Sequence, residues 1–232
     1  MTNTSTKQIV HKPGALLAPQ LDYILVDGSG SMQDKWFENM IALEAFIESL
    51  KTANLNSHLV LSVFDAADIS MIQRDCELRS HTPFSADPLV SHWSTTPLYD
   101  AINHMGRAIR DLDPERASIV IVTDGDENAS RYTNATQARA VLDWLKAKGF
   151  AVTFIGCDFN NSLQAKRLGI SDANSIGVQK ALLTDAAKNL AEKRKHHYHT
   201  GEDISFTQDE KTQFGGLLAA PPNGNGRSPT GR

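Results

Sequence analysis

A chain of 232 residues with 41% hydrophobic content suits one globular domain with a sizeable core, because a chain this long buries roughly 70% of its unfolded surface. The formal charge of −4 argues against a nucleic-acid coat protein, and no apolar run reaches the about 20 residues that a membrane-spanning helix needs. The polar start from Met1 to Lys7 lacks the apolar stretch of a secretory signal and the cysteines are Cys76 and Cys157 alone, so the expected setting is cytoplasmic, with two free thiols.

Residues 1–18 read as a flexible lead, broken by Pro13 and Gly14. A first strand is expected at 21–26 (LDYILV), and it stops abruptly at Asp27-Gly28-Ser29-Gly30-Ser31. Residues 34–50 carry Trp36, Phe37, Met40, Ile41, Leu43, Phe46, Ile47 and Leu50 at the spacing of an amphipathic helix with one apolar face. A strand at 59–64 is joined by the short link 65–68 to a second at 69–73, the one antiparallel excursion. An irregular stretch, 76–95, leads to Thr96 and a helix over 97–112 with Pro97 in its first turn and Thr96 as N-cap. The apolar run 117–123 ends in Asp124-Gly125. A helix at 134–148 stopped by Gly149, a strand at 150–156, a short helix at 161–168, a short strand at 174–178 and a last helix at 180–195 complete the series. Strand and helix alternate throughout. This predicts an α/β fold: a doubly wound, mostly parallel sheet with helices on both faces, 21–26 and 117–123 near its middle and 69–73 as an antiparallel edge.

The loop after the first strand carries the chemistry. In an open α/β sheet, ligands bind at the carboxyl ends of the strands. Asp27, Ser29 and Ser31 alternate with Gly28 and Gly30, which let the backbone curl so that three side-chain oxygens reach one spot. One carboxylate and two hydroxyls suit a hard divalent cation such as Mg²⁺ better than zinc, which prefers nitrogen and sulfur. Competing motifs fail on particular residues. A dinucleotide fingerprint needs a glycine where Gln33 stands, and a nucleophile elbow needs glycines where Asp27 and Ser31 stand. Thr96, at a helix start, and Asp124, at the end of an apolar strand, bring two further oxygen donors to the same rim.

Together these residues resemble the metal-ion-dependent adhesion site of von Willebrand factor type A domains: D-x-S-x-S at Asp27, Ser29 and Ser31, the threonine before P-L-Y-D-A-I at Thr96, and T-D-G ending at Asp124 and Gly125. The resemblance covers residues 19 to 195. It implies a Rossmann-like fold that binds Mg²⁺ (or Mn²⁺) through Ser29, Ser31 and Thr96, with Asp27 and Asp124 contacting the ion directly or through water. It implies a sixth position filled by an Asp or Glu of a partner protein, and hence a non-enzymatic protein-binding module. Stand-alone bacterial and phage domains of this kind are associated with ATPases, stress systems and mobile elements, and the resemblance does not choose among them. Gly28, Gly30, Trp93, Gly125, Asp126 and Glu127 are expected to shape the partner-binding rim, Trp93 either as a core anchor or as an exposed contact.

Two alternatives stay open. A Mg²⁺-dependent hydrolase of phosphate esters is permitted by the donor set, but a serine stands at position 29 where a D-x-D nucleophile motif needs aspartate, and no histidine or lysine falls within the motif segments. A purely structural role in assembly is the other. His196, His197 and His199 follow a helix end, where positive residues are expected from the macrodipole alone. Residues 196–218 form an extension in which Phe206, Phe214, Leu217 and Leu218 are candidates to dock back on the domain, Phe206 and Phe214 foremost, and 219–232 are too poor in apolar residues to pack.

Overall fold

The computed structural model describes residues 20–69, 71–158 and 162–215. The expectations for the lead 1–18, for the tail 219–232, for Leu217 and Leu218, and for Ser70 and Asn161 within their predicted elements lie outside those residues.

Six strands form one sheet: β1 (Gln20–Asp27), β2 (His58–Phe64), β3 (Met71–Glu77), β4 (Arg116–Thr123), β5 (Ala151–Cys157) and β6 (Ser175–Val178), in the order β3-β2-β1-β4-β5-β6. Only β3 runs antiparallel to its neighbour. Val26 of β1 stands opposite Val63 of β2 on one side and Val122 of β4 on the other, so β1 and β4 are the central pair. Successive residues of both strands are buried because each face is covered. Ile24, Val26, Val120 and Val122 meet α1 (Trp36–Thr52) and α5 (Leu183–Thr200) on one face. Tyr23, Leu25, Ile119 and Ile121 meet α2 (Leu98–Leu112), α3 (Ala135–Ala147) and α4 (Ser162–Arg167) on the other. The chain leaves β1 toward β2 and then returns across it to β4. The strand order therefore reverses between β1 and β4, which opens a crevice at their carboxyl ends.

Several local expectations need correcting. The first helical region is a 3-10 segment, Gly30–Lys35, followed by α1 from Trp36. Phe37 and Ile41 do not share the buried stripe: they are 72% and 44% exposed, while Ala42, Leu43, Phe46, Ile47 and Leu50 face the core. The apolar residues of α1 span a wider arc than one contact face can cover. Helix α2 starts at Leu98, with Pro97 at the cap position and no side-chain cap from Thr96. Helix α5 runs on through His196, His197 and His199 to a left-handed Gly201 (φ 76°), which ends it.

At the amino end of the sheet, Arg194 of α5 is wholly buried and donates to Asp22 of β1 at 2.5 Å. Asp22 also accepts from the Ser57 hydroxyl at 2.6 Å. Beyond α5 the chain turns back: Ile204, Phe206 and Phe214 are buried, and α6 (Gln208–Gly215) lies against β6. The Gln179 amide, just past β6, donates to the Phe214 carbonyl at 2.9 Å, and Lys193 pairs with Glu210 at 2.9 Å.

Candidate metal centre

Strand β1 delivers Asp27 to the crevice, fully buried. Its Oδ1 accepts from the Ser29 amide at 2.8 Å and its Oδ2 from the Thr123 hydroxyl of β4 at 2.6 Å. Both partners are neutral. Burial pushes the Asp27 carboxyl up to a pKa of about 6, against the pull of those hydrogen bonds. Ser29 Oγ stands 3.1 Å from Ser31 Oγ, which in turn donates to Asp124 Oδ1 at 2.6 Å. A continuous line of oxygens thus joins the loop after β1 to the residue after β4.

The backbone of that loop depends on its glycines and on Trp93. The Gly28 amide continues the ladder to Phe64 O at 2.8 Å, and a Cβ at Gly28 would run into the Ser91 hydroxyl and, at 2.6 Å, Val63 Cγ1. The Gly30 amide donates to Ser94 O at 2.8 Å, and a Cβ there would stand 3.3 Å from the Trp93 carbonyl. Trp93 adopts a left-handed conformation (φ 55°), uncommon for a bulky residue, and packs its half-buried ring edge-on against Trp36 with centroids 4.9 Å apart. Its place is that of an anchor beneath the rim.

Thr96 is buried, and its segment is tied to both neighbours. The Thr96 amide donates to Asn128 Oδ1 at 2.9 Å and the Asn128 amide returns to Thr96 O at 3.1 Å. One residue earlier, Thr95 O accepts from the Ala66 amide at 3.0 Å. The loop after β4 does the capping that Thr96 was expected to do. Glu127 Oε2 accepts from the Tyr99 amide at 2.9 Å, and Ser130 Oγ from the Asp100 amide at 3.1 Å, so α2 is capped from across the crevice. Glu127 also accepts from the Ala129 and Ser130 amides at 2.8 and 2.6 Å. Both its oxygens are therefore engaged in building the loop. Asp126 Oδ1 lies 3.2 Å from the Gln164 amide of α4, while Gly125 lies beside Ser31, 3.8 Å from its hydroxyl to a built Cβ.

Sequence reasoning missed Lys35 and the role of Thr123. It also found no lysine within the motif segments, yet Lys35, one turn past Ser31, reaches in. Its Nζ donates to Asp124 Oδ2 at 2.9 Å, Ser31 O at 3.0 Å and Asp34 Oδ1 at 3.1 Å. Partial burial works against the charge, but the hydrogen bonds to Asp124 and Asp34 outweigh it and hold the ammonium above its ordinary pKa. Lys35 is thus a cation at neutral pH and no base. Its position behind a 3-10 turn was readable as spacing.

The donor set is all oxygen. Among the described residues no group of three or more His, Cys, Asp or Glu side chains gathers, so a nitrogen–sulfur site for zinc is not what these residues build. His196 instead faces Glu202 at 2.9 Å, and His197 Nδ1 faces the Glu202 carbonyl at 2.7 Å. Cys76 and Cys157 are free thiols.

No protein-family model matches the chain, and no curated protein matches it. Solved structures do. A von Willebrand factor type A protein from Catenulispora acidiphila superposes with a TM-score of 0.54 at 16% identity, over 75% of this chain and 42% of the other. The von Willebrand factor domain of a type V pili tip protein from Porphyromonas gingivalis gives 0.62 at 12% identity, over 81% of this chain and 99% of the other. The conserved hypothetical protein BatB from Bacteroides thetaiotaomicron gives 0.51 at 17%, over 76% and 97%. The chain spans about two fifths of the Catenulispora protein, and at these identities the likeness is one of fold. The six-stranded sheet with its single antiparallel edge and its two helical layers is the Rossmann-like fold of von Willebrand factor type A domains.

Proposed function

We propose that this chain is a Mg²⁺- or Mn²⁺-dependent protein-binding module. The hydroxyls of Ser29, Ser31 and Thr96 hold the ion, with the carboxylates of Asp27 and Asp124 bound to it directly or through water. A partner's Asp or Glu completes the shell. The observation that carries this reading is the line of oxygens from Ser29 through Ser31 to Asp124, in a crevice where the buried Asp27 carboxylate is met by neutral groups, the Ser29 amide and the Thr123 hydroxyl. A hard divalent ion relieves that situation and finds six-coordinate oxygen chemistry there. With only two carboxylates among its donors, the ion keeps appetite for a further anion. The hydrolase alternative gains nothing from Lys35, which is protonated and occupied.

Calorimetry with Mg²⁺ and Mn²⁺ tests the reading. The wild type binds one ion, Ser29→Ala with Ser31→Ala loses it, and the double mutant melts close to the wild type in EDTA. Unchanged affinity in the double mutant refutes the ligand assignment. A bound ion at about 2.0–2.1 Å from its oxygens identifies Mg²⁺.

A further inference from the structure

We propose that the Lys35 ammonium is a built-in counter-charge that weakens the rim's grip on its metal and strengthens the loaded rim's pull on an anionic partner. The inference rests on the metal-binding reading above. Lys35 is not a surface lysine that has drifted into range. It is the last residue of the 3-10 segment Gly30–Lys35, and its side chain is 16% exposed. Its own carbonyl is held by the buried Asn39 amide at 2.9 Å, and Asn39 Oδ1 accepts in turn from the buried Cys157 thiol at 3.1 Å. That chain of contacts fixes the lysine's starting point from the core outward.

The Asp124 carboxylate is divided between two tasks: Oδ1 accepts from the Ser31 hydroxyl and Oδ2 from the ammonium, with the carboxylate 1% exposed. Asp34 shares the ammonium from the solvent side at 73% exposure, where water screens it, and Lys180 Nζ lies on the Asp34 carbonyl. The buried charges decide the balance. Asp27 and Asp124 together neutralise a divalent ion, and the ammonium leaves the rim one unit positive. Before loading, the same ammonium occupies part of the carboxylate charge that attracts the ion. Removing it therefore moves the two affinities in opposite directions: metal binding tightens and carboxylate binding to the loaded site weakens. Each change is expected at about tenfold for charges one carboxylate apart in a partly screened setting.

The test uses the full chain with Lys35→Met and Lys35→Arg, MnCl₂ calorimetry as the metal probe, and acetate as the carboxylate probe, its binding read from Mn²⁺-induced relaxation of its methyl protons. Lys35→Met is expected to bind Mn²⁺ about tenfold more tightly and, once loaded, to bind acetate about tenfold more weakly. Lys35→Arg keeps the charge and stays near the wild type in both. Affinities that stay unchanged in Lys35→Met, or move in the same direction, overturn the proposal. Mn²⁺ binding that survives Asp27→Ala with Ser29→Ala shows instead that the metal reading has failed, and this proposal falls with it. Melting in EDTA separates the two cases: Lys35→Met must melt below the wild type because Asp124 has lost its ammonium, and equal melting temperatures refute the counter-charge whatever the metal does.

Discussion

Strand β1 buries an aspartate near each end, and the two have different surroundings. Asp22, at the amino edge, receives a cation from within the chain: Arg194 at 2.5 Å, with Ser57 on its other oxygen. Asp27, at the carboxyl edge, is met by neutral groups, the Ser29 amide and the Thr123 hydroxyl, and its carboxyl is pushed up to about 6 by burial. Burying a carboxylate is costly unless it is paired. The fold meets that cost internally at Asp22 and leaves it unmet at Asp27. One aspartate is paired within the structure, and the other is the carboxylate that the proposed cation would relieve.

The sharpest way to break this contrast is at Arg194. Arg194→Met strands a buried charge on Asp22 and should lower stability by about 3–5 kcal/mol, read from the urea midpoint. Adding Asp22→Asn should recover part of the loss. A small effect of the single mutant would mean that Asp22 is as loosely compensated as Asp27.

Asp27→Asn should act the opposite way. The amide oxygen keeps the Ser29 bond, the amide nitrogen meets the Thr123 hydroxyl, and the charge is gone. In EDTA at pH 7 the variant should gain about 1–2 kcal/mol, a rise of several degrees in melting temperature, while Mn²⁺ binding disappears. A fall in metal-free stability would make Asp27 a structural acceptor like Asp22.

A third carboxylate shows what partial exposure does. Some burial pushes Glu210 up, but Lys193, the Thr207 amide and Asn189 more than offset this and bring its pKa down to about 2 from an ordinary 4.5. A lowered folded-state pKa contributes stability that is complete above 4.5 and is lost as pH falls toward 2. Protection of the α6 amides, taken relative to their intrinsic exchange rates, should therefore fall in that acid window before that of β1 and β4 does. Glu210→Gln should already show the lower protection at neutral pH.

The smallest effect is expected at Asn128. Asn128→Ala leaves the buried Thr96 amide without its acceptor, at a cost of about 1–2 kcal/mol. Because Thr96 is then less firmly placed, Mn²⁺ affinity should drop several-fold by calorimetry. Loss as complete as in Asp27→Asn would show that the loop, and not the oxygens, limits binding.

The sheet was legible because its central strands carry unbroken apolar runs, Tyr23 to Val26 and Ile119 to Val122, a pattern that two covered faces require and that does not depend on distant contacts. The edges of elements were less so. Phe37 and Ile41 extend the apolar arc of α1 past the width of its contact face, and periodicity alone does not say which side of a wide arc meets the core. Thr96 looked like an N-cap because a threonine before Pro-Leu-Tyr-Asp usually is one. The α2 amides are met instead by Glu127 and Ser130, thirty residues or so along the chain, a pairing that only the return of β4 beside β1 creates. Lys35 was missed for the same reason: it acts across a gap between segments.

Helix α6 has a consequence for association. Strand β6 is the last strand on its side of the sheet and has a neighbour in β5 alone. A bare strand edge is a template for pairing with another chain. Here that margin is screened: α6 lies against β6, Phe206 donates its amide to Ala173 O at 2.7 Å, and the Phe214 carbonyl caps the end of the strand through Gln179. A version of the chain stopped after Gly201 would uncover the margin together with the apolar surface beneath Ile204, Phe206 and Phe214. It should self-associate edge to edge in a concentration-dependent way, visible by light scattering, at conditions where the longer chain stays dispersed.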